Sequence, residues 1–205
     1  MITLVTASAN AHKVAEIQAI INELSTVDEI LLLPRPDIPD VDEHENTLVG
    51  NAKLKAFAVM GATGMPSMAD DTGLFVDALG GAPGVHSARY GGDAIADDGS
   101  NRDSVNRMKL LAALGDAANR NAEFRSVTVV AWPDGSWTIA EGVLKGTIAT
   151  TEFGENGFGY DQIFIPEAGV NPAGLTYAQM GTLEKNAISH RRRAVVALVE
   201  LLRVR

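Results

Sequence analysis

Short β-branched apolar runs alternate along this chain with stretches whose apolar residues recur every three or four positions. Ile2-Thr3-Leu4-Val5-Thr6 is such a run; after Ala7-Ser8-Ala9-Asn10, apolar residues return at Val14, Ile17, Ile21 and Leu24. Those offsets gather side chains on one helix face, so the pattern predicts strand, turn and helix, the usual start of an α/β unit. Residues 27–33 predict a second strand, ended by Pro34-Arg35-Pro36, and an acidic stretch over 37–45 leads to a second helix over 47–61. Met65-Pro66-Ser67-Met68 predicts a short buried strand. The next five residues, Ala69-Asp70-Asp71-Thr72-Gly73, predict a turn at its end, because Asp, Thr and Gly are ordinary turn residues. Neighbours on a regular strand point to opposite faces. Only where the backbone turns could Asp70 and Asp71 approach one site together.

Further on, Leu79-Gly80-Gly81-Ala82-Pro83-Gly84 and Val85-His86-Ser87-Ala88-Arg89-Tyr90-Gly91-Gly92 read as tight loops, followed by a helix over 101–114. Residues 123–132 and 136–147 predict a hairpin around Pro133-Asp134-Gly135, a strong turn signal. A glycine-rich loop over 154–160 precedes Ile163-Phe164-Ile165, and a final helix over 189–202 carries Val195, Leu198 and Leu202 on its apolar face. No repeat, low-complexity tract or linker interrupts the chain. The economical architecture is one α/β unit with a mixed sheet, which the hairpin extends and whose glycine loops frame a cleft.

Composition narrows the partners. At 205 residues, 46% hydrophobic and 21% charged, the chain is ample for a hydrophobic core. It has no cysteine, which excludes disulfides and thiolate metal sites. No apolar run approaches the roughly 20 residues of a membrane span, and no basic leader precedes the first strand, so a cytoplasmic location is the default expectation. The formal charge of −9 makes a nucleic acid polymer a poor partner. A small anion remains open, because a divalent metal on carboxylates reverses the local field.

Four constellations carry candidate chemistry. In Ser8-Ala9-Asn10-Ala11-His12-Lys13, Ser8, Asn10 and Lys13 could hold a phosphate at a helix start, although Asn10 could equally be an ordinary cap. Asp42, Glu43 and Glu45 precede the second helix, and with Asp70 and Asp71 they could supply the one or two carboxylates that Mg²⁺ uses beside substrate phosphates. For Asp42 and Glu45, favourable placement near the helix dipole is explanation enough. In Gly157-Phe158-Gly159-Tyr160-Asp161, glycine permits close backbone approach, an aromatic ring can stack on a base and Asp161 can accept hydrogen bonds; a turn with a core Phe accounts for the same residues. In Glu184-Lys185-Asn186-Ala187-Ile188-Ser189-His190-Arg191-Arg192-Arg193, with Ser189 as N-cap, His190 and Arg191 fall in a first helical turn, where cations are unfavourable unless an anion is near.

Together these segments resemble the inosine triphosphate pyrophosphatase family, essentially end to end. The resemblance is carried by Ser8-x-Asn10-x-x-Lys13, Asn51-Ala52-x-x-Lys55-Ala56, ADDTGL, GGAPGVHSARY, GFGYD and EKNAISHR, in that order. It implies a single domain over 1–205 with a long curved mixed sheet flanked by helices, in two lobes with a nucleotide cleft between them. It also implies a homodimer that uses Mg²⁺ to cleave ITP, dITP or XTP to the monophosphate and pyrophosphate. On that resemblance Asp71 is the catalytic acid and a metal ligand, with Asp70 and Glu43 as further metal ligands. Ser8, Ala9, Asn10, Ala11, His12 and Lys13 form the phosphate turn, and Lys55 faces the phosphates. Thr72, Phe158, Gly159, Tyr160, Asp161, Lys185, His190 and Arg191 touch substrate, Phe158 stacking on the base while His190 and Arg191 read its edge. The chain departs from the family at Ala9, where many members have glycine, at Thr72, where many have serine, and before Thr47, where the commoner glycine is missing. A related nucleotide pyrophosphatase acting on modified pyrimidines or methylated bases, and a silent nucleotide-binding module, are the rival readings.

Overall fold

The computed structural model describes residues 1–24, 30–92 and 102–205. In chain order the strands are β1 (Ile2–Thr6), β2 (Ile30–Leu33), β3 (Ser67–Val76), β4 (Pro83–Gly84), β5 (Asn121–Ala131), β6 (Trp137–Ile148) and β7 (Phe164–Pro166). The α-helices are α1 (Ala11–Leu24), α2 (Leu48–Thr63), α3 (Arg102–Leu114), α4 (Thr182–Ile188) and α5 (His190–Arg203). They flank one 7-stranded sheet of order β2-β1-β3-β5-β6-β7, with β4 paired to β3. The sheet is mixed: β1 runs parallel to β2 and β3, whereas β4 on β3 and β7 on β6 are antiparallel. No described helix is long and apolar enough to cross a membrane.

Most predicted elements appear where the pattern put them. Thr47 caps α2 by accepting the Gly50 N–H at 3.0 Å, and Gly64 closes it in the left-handed region. Residues 27–29 of the predicted second strand and Asn101 of the predicted third helix lie outside the described residues. One expectation is overturned: Asp70 to Gly73 do not turn. They continue β3 through ten residues, nearly all buried. The turn preference of Asp, Thr and Gly is a local bias, and it yields here to sheet pairing and to cations brought from elsewhere in the chain.

The chain divides into two compact units, and the division falls inside β3. The first comprises Met1–Asp71, Ser126–Gly142 and His190–Arg205; the second comprises Thr72–Arg125 and Val143–Ser189. In the first, Ile17, Ile20 and Ile21 of α1 and Val195, Leu198 and Leu202 of α5 bury against Leu4, Met68 and Val130 of the sheet. The start of α5 lies so close to β6 that a methyl group at Gly142 would collide with the His190 carbonyl oxygen and the Ala194 amide nitrogen. In the second, Phe124, Phe164 and Tyr177 form an aromatic core with Leu110, Leu144 and Ile163.

Candidate active site

In the first unit the adjacent acids of β3 are both buried, Asp70 at 2% and Asp71 at 6% exposure. They meet different partners, as side chains on opposite faces of a strand must. Asp70 Oδ2 is 3.2 Å from Lys13 Nζ and 3.7 Å from Arg191 Nε. Arg191, almost wholly buried at the start of α5, also bonds through Nη1 to Glu16 Oε2. Asp71 Oδ1 accepts from Lys55 Nζ at 2.9 Å, and the same ammonium lies 3.0 Å from Glu43 Oε1.

These surroundings shift the two carboxyl groups oppositely. Burial pushes Asp70 up, but the Lys13, Arg191 and Lys55 charges outweigh it and hold the group well below the usual carboxylate range. Burial also pushes Asp71 up, and here it prevails over Lys55, which Glu43 shares; the carboxyl stays above its ordinary value. For Lys55 the loss of water favours the neutral amine, yet Asp71, Asp70 and Glu43 together raise its pKa.

The turn after β1 is organised by its own side chains. The Ser8 N–H donates to Thr6 Oγ1 at 3.3 Å, the Asn10 N–H to Ser8 Oγ at 3.3 Å and the Lys13 N–H to Asn10 Oδ1 at 3.1 Å. Asn10 is thus a helix cap in this structure, and Ala9, Asn10, Ala11 and His12 are exposed beside it. Asp42 is solvated, and His44 Nδ1 lies 3.8 Å from its Oδ2.

The second unit holds the aromatic loop. Asp161 Oδ2 accepts from the Phe158 N–H at 2.9 Å and from Lys185 Nζ at 2.8 Å. That ammonium sits 4.7 Å from the centre of the half-buried Phe158 ring. Gly157 has a positive φ and faces the Asp161 carboxylate so closely that no β-carbon would fit. Tyr160 belongs to the core: its hydroxyl donates to the Ser87 carbonyl at 2.8 Å, and burial, with Tyr90 and Asp103 adding, pushes its pKa up. Thr72 is half-buried on β3.

Sequence reasoning passed over Glu16, which bonds to Arg191, over Asp103 and Arg107, which bond to Gly159, and over Glu152, which pairs with Arg107. Glu16 follows Lys13 by three positions, and Arg107 follows Asp103 by four, spacings that put each pair on one helix face. That spacing was the available signal. A hollow of about 700 Å³ in the second unit, lined among others by Asp77, Lys145 and Glu167, touches none of the predicted site residues.

The Ham1 family model matches residues 4–201. The chain belongs to the Ham1 family. Among curated relatives, the dITP/XTP pyrophosphatase of Streptomyces avermitilis is 44% identical over 99% of this chain and 98% of its own length. That of Nitratidesulfovibrio vulgaris is 44% identical over 97% and 95%. Of solved structures, the Ham1 protein of Coxiella burnetii aligns with a TM-score of 0.84 at 37% identity, covering 100% of both chains. The Staphylococcus aureus Ham1 protein aligns with a TM-score of 0.81 at 36% identity, covering 98% of each.

The chemistry of Asp71 fits a divalent cation. One of its oxygens is bonded to Lys55, and the other, Oδ2, is buried with no hydrogen-bond partner among the described residues. No group of three or more His, Cys, Asp or Glu that could hold a metal occurs among the described residues. Mg²⁺ does not need one, since it binds through one or two carboxylates together with phosphates and water.

Proposed function

We propose that the protein hydrolyses deaminated purine nucleoside triphosphates, with Mg²⁺, to the nucleoside monophosphate and pyrophosphate. The observation that carries this reading is Asp71: buried, raised in pKa and holding one oxygen without a hydrogen-bond partner among the described residues, beside a shared Lys55. The family and the names of its relatives supply the substrate class. Water attacks the α-phosphorus, its oxygen ending on the nucleoside monophosphate as the bond from that phosphorus to the bridging oxygen breaks and pyrophosphate leaves.

A cation held through Asp71, with Glu43 beside it, would supply charge neutralisation at the phosphate oxygens, whereas Asp70 lies on the other face of β3, held by Lys13 and Arg191. Asp71 orients the attacking water and, with a raised pKa, is a better proton acceptor than an ordinary carboxylate. Lys55 and Lys13 contribute positive charge for the phosphates, and both are held on carboxylates that keep them in place. Phe158, with Lys185 over its ring, offers a face for the planar base. His190 and Arg191 are assigned to the base edge. A donor facing the 6-oxo group of hypoxanthine or xanthine is mismatched by the 6-amino group of adenine, and a site built on such bonds discriminates by roughly 10⁴.

The test is pyrophosphate release, with Mg²⁺ and with chelator, from ITP, dITP, XTP, GTP, ATP and pyrimidine triphosphates. Release from the first three that stops with chelator supports the proposal. Equal hydrolysis of ATP and ITP overturns the base reading, and no release from any substrate favours a silent binding module.

A further inference from the structure

Gly159 is gripped from both sides by one helix. Its N–H donates to Asp103 Oδ2 at 2.7 Å, and its carbonyl accepts from Arg107 Nη1 at 2.8 Å. Asp103 and Arg107 stand four positions apart on α3 and so share a face. Arg107 is itself buried, and its Nε donates to Glu152 Oε1 at 2.9 Å, so its charge is paired rather than stranded. These two bonds fix the peptide planes before and after Gly159. The next residue back is held too, because the Phe158 N–H donates to Asp161 Oδ2 at 2.9 Å.

The grip lies on a segment that needs one. Gly157 and Gly159 both have positive φ, at 79° and 60°, and glycine on its own moves freely among such conformations. An exposed turn would leave the Phe158 ring to wander with its backbone. Here the backbone is pinned at successive peptides, and all three pins are charged groups, whose hydrogen bonds are stronger than neutral ones. Asp103, Arg107, Phe158 and Asp161 also line one hollow of about 150 Å³. That is well below the roughly 300 Å³ at which small-molecule pockets begin, so the carboxylate and guanidinium serve the loop rather than a ligand of their own.

We propose that Asp103 and Arg107 are positioning residues for Phe158. They act through Gly159, holding the ring in the orientation that accepts a purine base. The inference rests on the reading of Phe158 as the base platform. A lysine at 107 would keep the charge but lose the planar fork that reaches Gly159 and Glu152 together.

The experiment is a double-mutant cycle on the full chain, read as affinity for inosine monophosphate and, separately, for pyrophosphate. Arg107→Met keeps much of the buried stem, and Asp103→Ala removes the other pin at a half-buried position should the first variant fold poorly. Each should weaken inosine monophosphate about tenfold, leave pyrophosphate affinity unchanged, and raise KM for ITP more than it lowers kcat. In a Phe158→Ala background neither should weaken inosine monophosphate further, because the ring they position is gone. The same loss with and without Phe158, or equal losses for both ligands, overturns the positioning role. If Phe158→Ala alone binds inosine monophosphate as tightly as the unaltered protein, the base-platform reading itself fails.

Discussion

Asp70 and Asp71 are neighbours in sequence, alike in chemistry and both buried, yet they occupy opposite electrostatic worlds. Asp70 faces α1 and α5, where Lys13 and Arg191 more than repay its lost hydration. Asp71 faces Lys55 of α2, which must also serve Glu43. One acid is compensated by the protein, and the other is left with more negative charge around it than the protein neutralises. Compensation of that kind is what a structural ion pair needs. Its shortfall is what a cation-dependent site needs, because an arriving positive charge then gains more at Asp71 than at Asp70.

The sharpest way to break this comparison is to neutralise each acid in turn. Asp71→Asn should lower pyrophosphate release from ITP by about 10³-fold or more, the scale of losing a positioned catalytic group. It should also leave the metal-free fold as stable or more stable at neutral pH. The sign follows from linkage: a carboxyl raised by folding favours the folded state below its unfolded pKa, and that contribution is lost as pH rises through the raised value. The gain in Tm should therefore shrink as pH is lowered into the carboxylate range, and a fall in Tm at neutral pH would contradict the assignment.

Asp70→Asn should do the reverse, costing about 3–5 kcal/mol of stability by leaving buried cations under-compensated. Because folding depresses the Asp70 pKa, its contribution is complete above about pH 4, near the unfolded value, and lost only as pH falls through the folded one. Urea titrations at neutral pH measure it. Lys55→Met comes next: removing the shared cation should raise the Asp71 pKa further and so move the acidic limb of the ITP pH–rate profile upward. Smallest, Asn10→Ala should cost about 1 kcal/mol of stability through the lost α1 cap. A far larger loss of ITP turnover than of stability would show that Asn10 contacts phosphate as well.

Much of the scaffold was legible because it rests on periodicity. Val14, Ile17, Ile21 and Leu24 announce α1, and Pro133-Asp134-Gly135 announces the hairpin. The helix α4 was not legible, since seven residues span too little length for a 3.6-residue period to show. The course of β3 was misread because a turn bias is local, whereas what holds two acids in a strand comes from far away. Lys13 meets Asp70, and Arg191 meets Glu16 across 175 positions. Ordered motifs nominated Lys13, Lys55, Asp70 and Asp71 together, but not which cation would serve which acid. Asp103 and Arg107 stayed hidden for a related reason. Their i, i+4 spacing on a helix is commonplace, and their partner is the backbone of a glycine.

Gly142 bears no charge, donates no side-chain bond and sits on a strand, where an alanine would ordinarily pass as a silent change. Yet α5 begins against it, with the His190 carbonyl where a β-carbon would have to go. One added methyl group would push away the backbone that carries His190 and Arg191. An inventory of functional positions compiled from ionisable and aromatic residues would score such a variant as intact. On the proposed reading of His190 and Arg191, the damage would surface as lost discrimination between ITP and ATP in a protein that keeps every expected side chain.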